Sequence, residues 1–287
     1  MSSSKMRLGF HLSVAGSLMR AFRQALTLGC QALQIFVQNP RAWQGRAIPP
    51  QEIKAFTQAR RRIGLGPLVV HLSYLPNLAS PDPALYLRSQ AKLRQELALA
   101  RDLEADYLVC HPGHGPGSLP SLLRAAQALA QAVSRLPPPP LVLLENTVGQ
   151  GQELGHQITQ LARIMDLSGV PLGLCLDTAH AHSAGYDLKS SGGLARLLGE
   201  IAQGPGLSRL KVVHLNDSRT AGGARRDRHW HLGQGSIGLS GLRRLLCHPW
   251  VNPAAIIMET PRRHQADEWH NLLVARSLVR PGLILSA

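Results

Sequence analysis

The chain has no CxxC pair, no apolar run long enough to cross a membrane, and no GxGxxG after its first strand-like segment. Each absence removes a class. The four cysteines, Cys30, Cys110, Cys175 and Cys247, are too widely spread for a structural zinc site or a disulfide framework. They read as reduced, mostly buried thiols of an intracellular protein. The amino terminus, MSSSKMRLGF, lacks the apolar core of a signal peptide. The expectation is therefore a soluble cytoplasmic protein with a flexible tail at 1–5. The missing glycine fingerprint argues against a dinucleotide-binding open sheet. Charged residues make up only 17% of the chain and apolar ones 44%, as in a globular protein. Lysine occurs only at Lys5, Lys54, Lys92, Lys189 and Lys211, yet arginine carries the formal net charge to +14. Such an excess suits a polyanionic partner, nucleic acid before a membrane surface.

Short apolar runs alternate with helical patterns along the whole length. Strands are predicted at Arg7 to His11, Ala32 to Val37, Leu68 to His71, Tyr107 to His111, Leu141 to Glu145, Leu172 to Asp177, Leu210 to Leu215 and Ala255 to Glu259. Helices are predicted from Ser13, as N-cap, to about Leu28, then at about 51–62, 83–104, 119–136, 153–166, 194–201, 239–246 and 267–279. The four prolines Pro137 to Pro140 form a stiff connector, and the exit loop at 72–82 is longer than most connections of its kind. Eight such βα units in 287 residues point to an α/β fold, a (β/α)₈ TIM barrel forming one domain over 1–287.

The residues at the strand ends carry the functional signal. His11, His71, His111, Glu145, Asp177, His214 and Glu259 each close an apolar run, and in a barrel all would meet at the carboxyl-end face, where active sites are built. A lone histidine there would read as a hydrogen-bonded core residue; recurrence on seven of eight strands does not. Asp177 is followed by His180, adding a second donor at one strand mouth. In the loop RRDRHWH, Asp227 and His229 alternate and can converge on one ion, with Arg225, Arg226 and Arg228 beside them. Imidazole and carboxylate donors suit zinc, manganese or iron(II). Three glycines in LGQGSIG (232–238) allow close backbone approach to a ligand or unusual dihedrals. Cys110 should point away from His111, and Cys175 should lie one layer below Asp177, both as packing.

Seven segments, LVVHLSYLPNLA (68–79), HPG (111–113), LLENTVGQG (143–151), LCLDTAHAHSAGYD (174–187), HLND (214–217), DRHWHLGQGSIG (227–238) and MET (258–260), resemble the endonuclease IV family in order and over essentially the whole chain. That resemblance implies a metal-dependent apurinic/apyrimidinic endonuclease of DNA repair on a (β/α)₈ barrel with three divalent ions, usually zinc. It implies that His71 and His111 hold a first metal and that Glu145 bridges it to a second. Asp177, His214 and Glu259 would complete that second site, and His180, Asp227 and His229 would hold the third. Glu145 and Glu259 would be the catalytic carboxylates. Arg41, Tyr74 and Leu75 match the side chains that enter the DNA stack at the lesion. The implied partner is double-stranded DNA with abasic sites, bound by a cytoplasmic, nucleoid-associated monomer with no membrane contact. Two departures, Ser17 where a second glycine is common and Gln234 where an acid is common, touch no ligand. The rival readings are a metal-dependent sugar isomerase or epimerase on the same barrel, and a noncatalytic DNA-binding protein with structural metals.

Overall fold

The computed structural model of the chain describes residues 6–134 and 140–279. The tail expected at 1–5, the last two residues expected for the fourth helix, 135–136, and all of the proline connector but Pro140 lie outside them. The barrel strands are β1 (Arg7–Leu12), β2 (Ala32–Phe36), β3 (Leu68–His71), β4 (Tyr107–Cys110), β5 (Leu141–Glu145), β6 (Gly173–Asp177) and β7 (Leu210–His214). A two-residue hairpin, β8 (Asp217–Ser218) and β9 (His229–Trp230), precedes the last of them, β10 (Ala255–Met258). All eight barrel strands run parallel and close in the order β1-β10-β7-β6-β5-β4-β3-β2. Helices α1 (Leu18–Thr27), α2 (Pro50–Ile63), α3 (Pro83–Asp102), α4 (Leu119–Val133), α5 (Ile158–Ser168), α6 (Thr178–Ala184), α7 (Ser191–Gln203), α8 (Gly238–Leu246) and α9 (Gln265–Leu278) connect them.

Local chemistry sets the boundaries. The N-cap of α1 is Ser17 and not Ser13: Ser17 Oγ accepts from the Arg20 amide at 3.2 Å. Ser13 instead turns the exposed loop before it, accepting from Ala15 N. Asp82 caps α3 through the amides of Ala84 and Leu85, with Pro83 at the first helical position, where its missing N–H costs nothing. Helix α5 starts at Ile158, five residues later than the pattern predicts, because Glu153 is held in a loop bridge to His114. Helix α6 has only seven residues, too short to show a helical period in the sequence.

The two-residue period of each strand splits the interior in two. Outward residues such as Leu8, Phe10, Val70, Leu108, Cys110 and Leu144 pack under the helices. Inward residues Ala32, Val69, Val109, Leu143, Cys175, Val212, Ala255 and Ile257 form a separate apolar plug inside the barrel. Cys110 and Cys175 thus pack as their parity requires, and burial pushes both thiols up to about 12. The next inward position on each strand lies two residues nearer the carboxyl end. There stand His71, His111, Glu145, Asp177, His214 and Glu259, so the apolar plug is the floor of the polar site. On β1 the plug position is Gly9, paired with Ala32 of β2. A Cβ at Gly9 would lie 2.0 Å from the Ala32 carbonyl oxygen, a backbone atom that cannot rotate away. Gly9→Ala is therefore expected to cost about 2–3 kcal/mol, read as a fall of several degrees in the thermal unfolding midpoint. An unchanged midpoint would show that β1 can shift relative to β2.

Candidate metal centre

Glu145, at the end of β5, has no exposed surface, and imidazoles surround it. Its Oε2 lies 3.1 Å from His71 Nε2 and 3.2 Å from His111 Nε2. Its Oε1 lies 2.9 Å from His214 Nδ1 and 3.3 Å from His180 Nδ1. The two oxygens therefore face different partners. Burial alone would raise its pKa, but His214 and His111 hold Glu145 well below the usual carboxylate range.

Besides the overlapping set Glu145, Cys175 and His214, in which the Cys175 thiol reaches up from the floor, three donor groups share these residues. His71, His111 and Glu145 form one; Glu145, Asp177, His214 and Glu259 form a second; Asp177, His180 and His229 form a third, each with ligand atoms within 4.8 Å of one another. Asp227 joins the third group through Oδ1, 3.5 Å from His180 Nε2 and 3.3 Å from His229 Nε2. All nine expected ligand residues thus converge. Asp177 differs from the expectation in standing between the second and third groups, with Oδ2 3.4 Å from His229 Nε2.

The hydrogen bonds behind the rings decide which nitrogen faces inward. His71 Nδ1 donates to Leu72 O at 2.8 Å and His180 Nδ1 to Asn146 O at 2.9 Å. His229 Nδ1 donates to Glu259 O, and His214 Nε2 to Gln34 Oε1 at 2.8 Å. Each ring so oriented turns a lone pair to the cluster, as metal-binding histidines do. The Nε2 atoms of His180 and His229 then face each other at 3.3 Å. Two lone pairs at that distance repel unless a proton or a cation lies between them. Two nitrogens on one tetrahedral zinc stand roughly 3.3–3.4 Å apart, from bonds of about 2.0–2.1 Å. The residues fit divalent ions.

His11, the one strand-end histidine outside the implied ligand set, belongs to none of the three groups. Its Nδ1 hydrogen-bonds Glu259 Oε1 at 2.8 Å, and the same oxygen accepts from Gln34 Nε2 at 2.7 Å. Burial lowers the His11 pKa, keeping the ring neutral. Gln34 was not singled out from the sequence, although a glutamine at an inward position of an apolar strand is a usable sign. Asn146 and Asn216 were also missed. Asn146 brackets Asp177 through its amide and carbonyl, at 2.7 and 3.0 Å. Asn216 donates to Asp177 Oδ2 and accepts from the Glu259 amide, both at 2.8 Å. Asp177 Oδ1 caps α6 by accepting from His180 N, which brings His180 into the cluster.

The glycines of LGQGSIG serve an internal group. The Asp217 carboxylate, wholly buried, accepts from the amides of Ser218, Gly233, Gly235, Ile237 and Gly238. A Cβ on Gly235 would lie 2.4 Å from Asp217 Oδ1. This knot secures the hairpin that carries His229. Beside the centre opens a cleft of about 690 Å³, lined among others by His11, Phe36, Asn39, Tyr74, His229 and Glu259. Tyr74 is half exposed at its rim, its ring edge-on to Phe36. Arg41 is exposed next to Pro40, which also lines the cleft, and Leu75 follows Tyr74.

Fold and donor set define a class: (β/α)₈ barrels whose carboxyl-end face suits divalent metals. A model of the Xylose isomerase-like TIM barrel family matches residues 22–277. The "Probable endonuclease 4" of Solibacter usitatus is 41% identical over 289 residues, covering 98% of this chain and 100% of the relative. The crystal structure of endonuclease IV from Thermus thermophilus aligns with a TM-score of 0.85 at 38% identity, covering 95% of this chain and 98% of that one. A D-tagatose 3-epimerase-like protein, 20% identical with a TM-score of 0.72, covers 95% and 97% and shares the fold alone. The chain belongs to the endonuclease IV family.

His71, His180 and His214 are held above the ordinary histidine pKa; burial alone would lower them, and the neighbouring carboxylates at His71 and His180, and Cys175 with Glu259 and Glu145 at His214, outweigh it. The same negative groups that would attract a cation thus favour protonation of these rings, so proton and cation compete for them and affinity rises with pH. Zinc added to metal-free protein in weak buffer is expected to release protons. Its apparent affinity should drop roughly tenfold or more from about pH 7 to about pH 6. Affinity independent of pH across that span would show that these histidines are not ligands.

Proposed function

We propose that this protein is a DNA-repair endonuclease that hydrolyses the phosphodiester bond 5′ to abasic sites in duplex DNA. It leaves a 3′-hydroxyl and a 5′-deoxyribose phosphate, and also removes 3′ blocking groups. The observation that carries the reading is the convergence of nine imidazole and carboxylate residues, with Glu145 and Asp177 shared between groups, in a chain of the endonuclease IV family. His71, His111 and Glu145 would hold one ion, Glu145, Asp177, His214 and Glu259 a second, and His180, Asp227 and His229 a third, with Asp177 close enough to reach it. Three divalent cations, zinc foremost, would supply Lewis-acid chemistry there, polarising the phosphate, lowering the pKa of the attacking water and neutralising the leaving 3′ oxygen.

The protein's part is orientation. Glu145 is fixed between four imidazoles, so the first two groups keep a constant spacing. Glu259 Oε1 is taken by His11 and Gln34, which leaves Oε2, 3.2 Å from His214 Nδ1, to face the site and orient the attacking water. An abasic sugar neither pairs nor stacks, so extruding it costs little, and the cleft would accept it while excluding an intact nucleotide. Tyr74, Leu75 and Arg41 at the rim would fill the gap left in the stack and favour a bent duplex. The +14 charge adds phosphate attraction without sequence preference. The protein would act as a monomer, one barrel per lesion.

The deciding experiment uses an end-labelled duplex with one abasic-site analogue. A single cut 5′ to the lesion, lost on prolonged chelation and absent on intact duplex, is expected. No cut with any divalent metal, together with epimerisation of ketoses, would replace this reading. Glu259→Gln is expected to keep lesion binding within about threefold and lose at least about 10²-fold in cleavage, as for a group needed only in the transition state. Equal losses in both would contradict its assigned role. Binding should also weaken steeply between about 50 and 200 mM salt, and a flat dependence would argue against phosphate contacts.

A further inference from the structure

Helix α3 buries polar side chains where it packs on the barrel: Ser89, Lys92 and Glu96, spaced three and four residues apart along one face. The Lys92 and Glu96 side chains are 2% and 0% exposed and lie 3.2 Å apart. Enclosing such a pair is costly unless its remaining hydrogen-bonding capacity is used. Here it is used on two loops that flank the cleft. Lys92 Nζ donates to the carbonyl of Trp43 at 3.2 Å, two residues beyond Arg41. Glu96 accepts from the amide of Ser73 at 3.1 Å and from its hydroxyl, immediately before Tyr74. Ser89 Oγ accepts from the Asn77 amide farther along the same loop, and the Arg88 guanidinium lies over the Trp43 ring at 4.3 Å. The two loops also meet directly, Tyr74 N donating to Pro40 O at 3.0 Å.

We propose that the Lys92–Glu96 pair positions the lesion-recognition loops, holding Arg41 and the Tyr74–Leu75 wedge in one mutual register before DNA arrives. Both loops hang from a single enclosed charge pair, so neither can move without breaking a charge-assisted bond. Ordering the wedge in advance removes a cost that binding would otherwise carry. The proposal rests on the reading of Arg41, Tyr74 and Leu75 as the DNA wedge. Lys92 and Glu96 would be positioning residues, touching neither DNA nor the metal centre.

The test compares wild type with Lys92→Met, Lys92→Arg and the doubly neutral Lys92→Met/Glu96→Gln, which leaves no unpaired buried charge. On abasic-analogue duplex, KM is expected to rise roughly ten- to a hundredfold in the Met variants. The turnover number should stay within about threefold, since the metal centre is untouched. The fluorescence of 2-aminopurine opposite the lesion, which reports unstacking, should rise less than with wild type, and Lys92→Arg should restore most of the difference. Hydrogen exchange of the DNA-free protein adds a readout independent of activity: residues 39–46 and 72–78 should both exchange faster in the double variant. Unchanged exchange in both loops overturns the clamp. So does a loss of KM and turnover in step with a falling unfolding midpoint, without rescue by arginine, because that marks a purely structural pair. Failure of the wild type to cut abasic DNA would instead count against the functional reading and leave the exchange result to judge the clamp.

Discussion

Everything at the carboxyl-end face depends on one buried carboxylate. Glu145 is wholly enclosed, and among the described residues its charge is faced by imidazoles from β3, the end of β4, β7 and α6. A group in that position cannot be satisfied by neighbours in sequence. It requires the closed sheet to bring distant chain segments to within about 3 Å of a single point, and so ties the chemistry to barrel closure. The apolar plug beneath acts in the same direction. By filling the barrel's waist with Val, Leu and Ile it leaves the next inward position as the first place where a polar side chain can reach solvent or an ion.

The groups behind the ligands form a continuous network. Gln34 links His214 to Glu259, His11 shares the same Glu259 oxygen, Asn216 ties Glu259 to Asp177, and Asn146 ties Asp177 to the ring of His180. Rotating any one ring would strand a donor or acceptor elsewhere in a dry interior. The centre is therefore held as a unit.

The strand-end histidines and carboxylates were legible in the sequence because two physical signals coincide there: an apolar run of strand length, and a metal-capable group at its close. The fold followed from the same alternation, and the match of motifs to a known family supplied the division of the donors into groups. What escaped was whatever depends on contacts between distant elements. His11 has the same local signature as His71, and only the approach of Glu259 from β10 distinguishes a hydrogen-bond partner from a ligand. Ser13 is as good a cap by type as Ser17, and the loop geometry decides between them. The glycines after His231 read as close approach to a ligand or unusual dihedrals; Gly233 and Gly238 do take positive φ, and the group they approach is Asp217, a residue of the chain itself. Lys92 and Glu96 have the spacing of an ordinary surface pair, and nothing in that spacing tells that both are enclosed.

The knot around Asp217 has one more consequence. It anchors both ends of an arginine-rich loop, 219–228, since β8 precedes that loop and β9 follows it. Arg225, Arg226 and Arg228 in it are exposed, while the strand bearing His229 is fixed by five amides converging on one carboxylate. Electrostatic attraction and ion coordination therefore share one short loop: Asp227 faces His180 and His229 while the arginines on either side of it are exposed. Changing Arg225, Arg226 or Arg228 can retune attraction to nucleic acid, but Asp227 among them ties the same loop to the third donor group, so the two properties are bound to evolve together.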